Sequence, residues 1–269
     1  MTELLINYLH FSYTKDMEVL KGIDLHLKDQ TTAIVGQNGA GKTTFVKLLK
    51  GLLQPTEGAI QFNGSNTKDY TAANLAEHIG MVFQNPNDQI FKSKVLNEVM
   101  FGPLNIGQEE NEARDKALEA LKKVGLEDRL EKNPYDLSLS ERKMISIAAV
   151  LAMDTDVVIF DEPTMGQDFA GKERIKEIIS ELRSLGKLVL CILHDMDFAA
   201  EVFERTIVFN QGNVLLDGST RDVFSDENVL EQAFLEQPHV MQIAKNIGLD
   251  GIYTTESELV AALERAWFD

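Results

Sequence analysis

Apolar and polar residues alternate along ELLINYLHFSY and again along GIDLHLKD, the period of half-buried strands. TTAIVG is a short apolar run closed by glycine. KTTFVKLLKGLL then takes helical spacing and stops near Gly51 and Pro55. GAIQFNG and HIGMVFQ read as further strands. From about Asn85 to Val150 the period is mostly helical, and EENEARDKALEALKKVG is an amphipathic helix with a glycine stop at Gly125. Strand runs return in DVVIFDEP and KLVLCILHD, with the helix AGKERIKEIISELRSLG between them. RTIVFNQGNVLLDGS reads as a hairpin around QGN. Beyond about Ser225 the chain is again mainly helical, in NVLEQAF, VMQIAKNIG and ELVAALERAW, the last preceded by Thr255 with Glu258 at capping-box spacing. Strands alternating with helices predict an α/β fold with a parallel sheet, interrupted by a helical insert and followed by a C-terminal extension.

Composition narrows this picture. A chain of 269 residues suits one large domain with additions, and 44% apolar residues allow a sizeable core. Forty-three acids against 26 bases give a net charge of −17, which argues against nucleic acid as the main partner, since backbone phosphates need Lys and Arg. The plain reading of the acid excess is solubility. The single cysteine, Cys191, excludes an intrachain disulfide and a cysteine zinc site, and its apolar surroundings in KLVLCILHD predict a core residue. The N-terminal stretch does not read as a signal peptide, and no apolar run approaches ~18 residues, so any membrane role must come through a partner.

The chemistry concentrates in two places. GQNGAGKTT, from Gly36 to Thr44, is the phosphate-loop pattern of glycine, four residues and Gly-Lys-Thr, placed between a strand and a helix as the pattern requires. Gly36, Gly39 and Gly41 are read as letting the backbone curl around anionic oxygens, with the helix N-terminus adding oriented N–H groups. Gln37, Asn38, Ala40 and Thr44 complete the loop. Lys42 supplies a cation for the β- and γ-phosphates and Thr43 a hydroxyl for Mg2+. In DVVIFDEP an apolar strand runs into Asp161, near the metal, followed by Glu162, a candidate proton acceptor from the attacking water. Adjacent acids alone would read as a solvated turn. Behind an apolar strand downstream of a phosphate loop they read as the other half of a nucleotide site.

With GQNGAGKTT, VFQNPNDQIF, LSLSERK, VVIFDEPTMGQD and LHD in this order, the chain resembles the ATP-binding subunits of ABC transporters over about residues 2–220. FQNPNDQIF and the C-terminal tail resemble the energy-coupling factor branch, which imports vitamins and transition metals. The resemblance implies a P-loop ATPase core with an antiparallel N-terminal β subdomain. The ATPase domain would span 1–224, its helical part about 85–150, and the extension 225–269. It implies ATP and Mg2+, a peripheral place on the cytoplasmic face of the membrane, and a transmembrane coupling subunit beside a substrate-binding membrane subunit. It further implies that Tyr13 stacks on adenine, the alternative being a core-facing strand aromatic. Gln84 touches Mg2+ and the attacking water and leads into a segment, Asn85 to Phe91, that meets the membrane subunit; the alternative is a polar strand end. Asp161 is the second-shell magnesium acid, Glu162 the general base, His194 the switch histidine sensing the γ-phosphate, and Asp168 the acid crossing to the opposite monomer. His10, His26, His78 and His239 are read as structural.

One motif departs from the family. Where the pattern is Leu-Ser-Gly-Gly-Gln, the chain has Leu137, Ser138, Leu139, Ser140 and Glu141. Either the turn is impaired, with Cβ atoms and a negative charge brought toward phosphate, or Ser138 and Glu141 form a capping box that turns the carboxylate onto the backbone and leaves the helix start able to bind phosphate. In the family two ATPase domains pair head to tail, each signature turn serving the other chain's ATP. The departure therefore predicts a heterodimer with an unlike ATPase, a homodimer being the alternative. Rival readings are a soluble ABC ATPase of another process, a kinase, and a weakly catalytic structural nucleotide-binding subunit. The acidic balance, the order of the motifs, and Glu162 with His194 weigh against these in turn.

Overall fold

In the computed structural model, residues 2–28 and 30–268 are described; Met1, Asp29 and Asp269, which fall within the predicted segments, lie outside them. The elements are β1 (Glu3–Thr14), β2 (Met17–Lys28), β3 (Thr31–Gly36), α1 (Lys42–Leu49), β4 (Glu57–Phe62), β5 (Ser65–Asn66), α2 (Ala72–Ala76) and β6 (Ile79–Val82). The helical stretch follows as α3 (Val95–Asn105), α4 (Glu110–Lys123) and α5 (Leu139–Leu151). Then come β7 (Val157–Asp161), α6 (Phe169–Ser184), β8 (Leu188–Ile192), α7 (Met196–Val202), β9 (Arg205–Asn210) and β10 (Asn213–Ser219). The chain closes with α8 (Thr220–Ser225), α9 (Glu227–Gln232), α10 (His239–Asn246) and α11 (Glu256–Phe268).

The alternation that predicts β1 carries one slip. Leu4 and Ile6 are buried, then Leu9 and Phe11, so the inward face passes from even to odd positions. A register irregularity between Ile6 and Leu9 absorbs the extra residue, with Tyr8 in the left-handed region at φ 45°. β1 thereby keeps one apolar face while pairing antiparallel with β2 and β4, in a four-stranded sheet of order β2-β1-β4-β5.

The second sheet has the order β10-β9-β3-β8-β7-β6, parallel except for the β9–β10 hairpin. Its central strands are covered on both faces, which is why they read as continuous apolar runs. Val157 and Ile159 of β7 join the core shared with the antiparallel sheet and α1, whereas Val158 and Phe160 join the core under the helices. Cys191 of β8 lies in the latter, fully buried, and burial pushes its thiol up. The extension is stitched into that same core by Leu230, Ala233 and Met241; only Val240, Ala244 and Leu259 form a small cluster of their own. At α11 the Thr255 hydroxyl accepts from the Glu258 N–H as its spacing predicts, but the Glu258 carboxylate accepts from the Thr254 N–H, one residue earlier than a capping box would have it. Among the described residues no helix is long and apolar enough to cross a membrane.

Candidate active site

The parallel strands β3, β8, β7 and β6 end along one edge, where ligands bind in open α/β sheets. The loop 36–44 leaves β3, His194 follows β8, Asp161 closes β7 with Glu162 after it, and Gln84 follows β6. Segments far apart in sequence thus reach one place because their strands are neighbours.

Tyr13, Asn38 to Thr44, Gln84 and Glu162 line one cavity of about 550 Å3, within the range of small-molecule sites. Gly39 has φ +81°, a left-handed conformation that glycine adopts freely, with open space where a Cβ would stand. Gly36 is needed for a different reason. A Cβ there would lie 2.2 Å from the Phe209 carbonyl oxygen of β9, so close strand packing by itself demands that glycine. The Lys42 ammonium donates to the Gly36 and Gln37 carbonyls at 2.5 and 2.8 Å. Burial lowers its pKa, opposed by the charges of Glu162 and Asp161. Tyr13 is 52% exposed, with its hydroxyl 3.3 Å from Thr44 Oγ1 and its ring edge-on to Phe11. It does not face the core.

Asp161 sits just beneath the cavity, 1% exposed, with Thr43 Oγ1 3.5 Å from its Oδ1. Burial raises its pKa against the pull of the Thr43 hydroxyl. A buried carboxylate penalised by desolvation gains from a nearby cation, and carboxylate, hydroxyl and amide oxygens of Asp161, Thr43 and Gln84 are the hard donors that Mg2+ takes. Glu162 stands in the left-handed region at φ 49°, a conformation costing a non-glycine residue about 1–3 kcal/mol. Its N–H donates to the Ile192 carbonyl at 3.1 Å, and its carboxylate accepts from the His194 ring Nε2 at 2.9 Å. His194 is therefore partnered with the candidate base itself. With Gly36 to Asn38 it also edges a second cavity of about 670 Å3, walled by Phe234, Gln237 and His239 of the extension.

The signature residues form a separate cluster. Of the two arrangements open to LSLSERK, the structure has the capping box. The Ser138 N–H and hydroxyl both donate to Glu141 Oε2, at 2.9 and 2.8 Å, and the Glu141 N–H donates back to Ser138 Oγ at 3.2 Å. These bonds hold the Glu141 carboxyl below its usual range. Ser140 and Gln167 bond reciprocally: the hydroxyl donates to Oε1 at 2.8 Å, and the amide donates to the Ser140 carbonyl at 3.3 Å. Asp168 caps α6 by accepting from the Gly171 N–H at 2.8 Å. Replacing Ser138 with alanine is expected to cost about 1 kcal/mol, a fall in Tm of about 2–4 °C by calorimetry. An unchanged melting curve would mean that α5 does not depend on this cap.

Residues 85–91 divide. Pro86 and Ile90 are buried against the insert, whereas Phe91 is 56% exposed. Phe91 stacks edge-on with Phe101 at 4.6 Å, and the Lys92 ammonium lies 4.5 Å from the Phe101 ring centre. Three residues with no assigned role hold this segment. Glu98 accepts from the N–H groups of Phe91 and Lys92. The Gln89 side chain accepts from the Phe83 N–H. Lys143 donates to the Phe83 and Gln84 carbonyls. The signal for Lys143 was its place at the start of the apolar part of α5, which is buried at every position from Lys143 to Ala148 and again at Val150.

Residues 20–165 match the sequence family described as ABC transporter. An ABC transporter ATP-binding protein of Pyrococcus furiosus is 39% identical over 93% of this chain and 95% of its own length. The energy-coupling factor transporter ATP-binding protein EcfA of Methanocaldococcus jannaschii is 37% identical over 87% of this chain and 85% of its own. Among solved structures, CbiO1 of Clostridium perfringens, described as part of the ABC transporter complex cbiONQ, superposes with a TM-score of 0.75. It is 33% identical, and the match covers 90% of this chain and 98% of that one.

Proposed function

The chain belongs to the ABC transporter family as an ATP-hydrolysing subunit, and from that premise we propose that it powers a membrane importer of the energy-coupling factor kind, for vitamins or transition metal ions. The similarity to EcfA and CbiO1 supports the branch. The observation that carries the hydrolytic reading is the meeting of Lys42, Gln84 and Glu162 around one cavity, with His194 bonded to Glu162.

In this reading the loop N–H groups and the start of α1 bind the β- and γ-phosphates, and Lys42 turns its ammonium from the loop carbonyls onto them. Tyr13 stacks on adenine from the antiparallel sheet. Mg2+ carried with the nucleotide supplies charge neutralisation at the phosphates, and Thr43, Gln84 and Asp161 are the residues that would hold it. Glu162 accepts the proton of the attacking water, and His194 orients that carboxylate. Contacts made only with the γ-phosphate distinguish ATP from ADP and so drive closure of two ATPase subunits, with Asp168 at the crossing. Closure passes through residues 85–91 to the coupling subunit, for which the exposed Phe91–Phe101 pair with Lys92 is a suitable docking surface.

The signature supports pairing with an unlike ATPase. The capping box turns the Glu141 carboxylate onto the backbone and leaves the helix start able to bind a partner's phosphate, but the one proton of the Ser138 hydroxyl goes to Glu141, so the serine donor of the motif is engaged. The site completed by LSLSERK is then the weaker of two. The test is ATPase activity of the purified chain beside that of its native membrane complex, with oligomeric mass measured for both. Low activity alone, and high activity in a complex holding a second, different ATPase, is the expected result. A homodimer as fast as the complex would sink the asymmetric pairing.

A further inference from the structure

Lys143 is 1% exposed, and its ammonium meets three backbone carbonyls: Gln84 at 2.6 Å, Phe83 at 2.9 Å and Asp161 at 3.4 Å. A buried ammonium is costly unless its donors are used, and here three acceptors face three N–H groups. Their placement is specific. The β6–β7 ladder ends at Val82 and Phe160, and the three carbonyls belong to the residues just beyond that end. Lys143 thus ties two strands together where their hydrogen bonding stops. Gln84 and Asp161 are the two residues at that point whose side chains are read as facing Mg2+. The lysine itself stands on α5, whose first turn is the Ser138–Glu141 capping box. A second bond runs between the same loop and the same helix, from the Gln89 amide, which also holds the Phe83 N–H, to the Ser146 carbonyl at 3.4 Å.

We propose that Lys143 is a positioning residue for the magnesium-facing pair: its ammonium fixes the backbone from which the Gln84 and Asp161 side chains project, and makes that backbone follow the signature helix. The proposal rests on the reading of Gln84 and Asp161 given above. Removing an outer-shell partner of metal-holding side chains commonly weakens metal affinity about 10–100-fold. The same order is expected here without direct contact between Lys143 and the nucleotide.

The experiment is equilibrium binding of a fluorescent ATP analogue to the full chain, titrated with Mg2+ and repeated in a chelator. Lys143→Met keeps length and removes the donors, and Lys143→Arg keeps donors and charge. The expected result is a rise of about tenfold in the Mg2+ concentration for half-saturation in Lys143→Met, unchanged chelator-state affinity, and recovery to within about threefold in Lys143→Arg. If Lys143→Met does not fold, Lys143→Leu replaces it. A folded donor-deficient variant with the parental Mg2+ dependence, or an arginine variant no better than the donor-deficient one, overturns the proposal. Gln84→Ala and Asp161→Asn run beside them. If neither moves the Mg2+ dependence, the assignment of that pair has failed; if they move it and Lys143→Met does not, the positioning role has failed.

Discussion

Glu162→Gln is expected to leave ATP bound at near-parental affinity and to lower turnover by about 10²–10⁴-fold, the usual contribution of general acid–base catalysis. The substitution keeps the shape of the side chain and a donor and acceptor for His194, so the 2.9 Å contact has a replacement. It removes the negative charge and with it the ability to take a proton. The left-handed backbone at this position is unaffected by the change, because glutamine and glutamate share its cost. Steady-state phosphate release and equilibrium nucleotide binding, measured on the same preparation in the assembled complex, separate the two effects. Turnover within tenfold of the parent would mean that a different group accepts the proton.

The other large effect is expected at Lys42. Lys42→Ala removes a cation that makes two close bonds to the loop carbonyls and, in the proposed cycle, exchanges them for phosphate oxygens. Charge-assisted hydrogen bonds contribute about 1.5–3 kcal/mol each. Two of them correspond to a loss of ATP affinity of about two to four decades. Isothermal titration of the chain with ATP and Mg2+ reads this directly. A loss below tenfold would place the binding energy in the backbone N–H groups and the α1 dipole, with the lysine reserved for the reaction. The variant also leaves the Gly36 and Gln37 carbonyls without their donor, so a melting curve belongs beside the titration.

Local signals carried much of this site. TTAIVG followed by GQNGAGKTT specifies strand, loop and helix start within fourteen residues, and the structure has β3 on that strand and α1 beginning at Lys42. The runs in DVVIFDEP and KLVLCILHD are continuous because both faces of the sheet are covered, and continuity is visible in one dimension. What was not legible depends on which segments meet. Lys143 acquires its partners from residues 59, 60 and 18 positions away. Its place in the apolar part of α5 marks it as buried but says nothing of the three carbonyls waiting there. The motif gives Gly36 one reason to be glycine, and the strand register adds another by placing Phe209 beside it. His194 is read from its motif as a phosphate sensor, while its contact with Glu162 needs β7 and β8 to be neighbours. The short helices α2 and α7, of five and seven residues, give periodicity too few turns to register.

The Ser140–Gln167 pair sets a limit on how this chain can be taken apart and rebuilt. Grafting a glycine-containing signature from a relative onto it looks like a conservative exchange of one short segment. With glycine at 140, however, the Gln167 amide oxygen loses its hydroxyl donor, in a half-buried place where that loss is felt. The graft would therefore arrive with a loosened Met165–Asp168 turn, three to six residues from Glu162. Positions 140 and 167 form one exchangeable unit across two motifs, and chimaeras between this chain and its relatives should move them together.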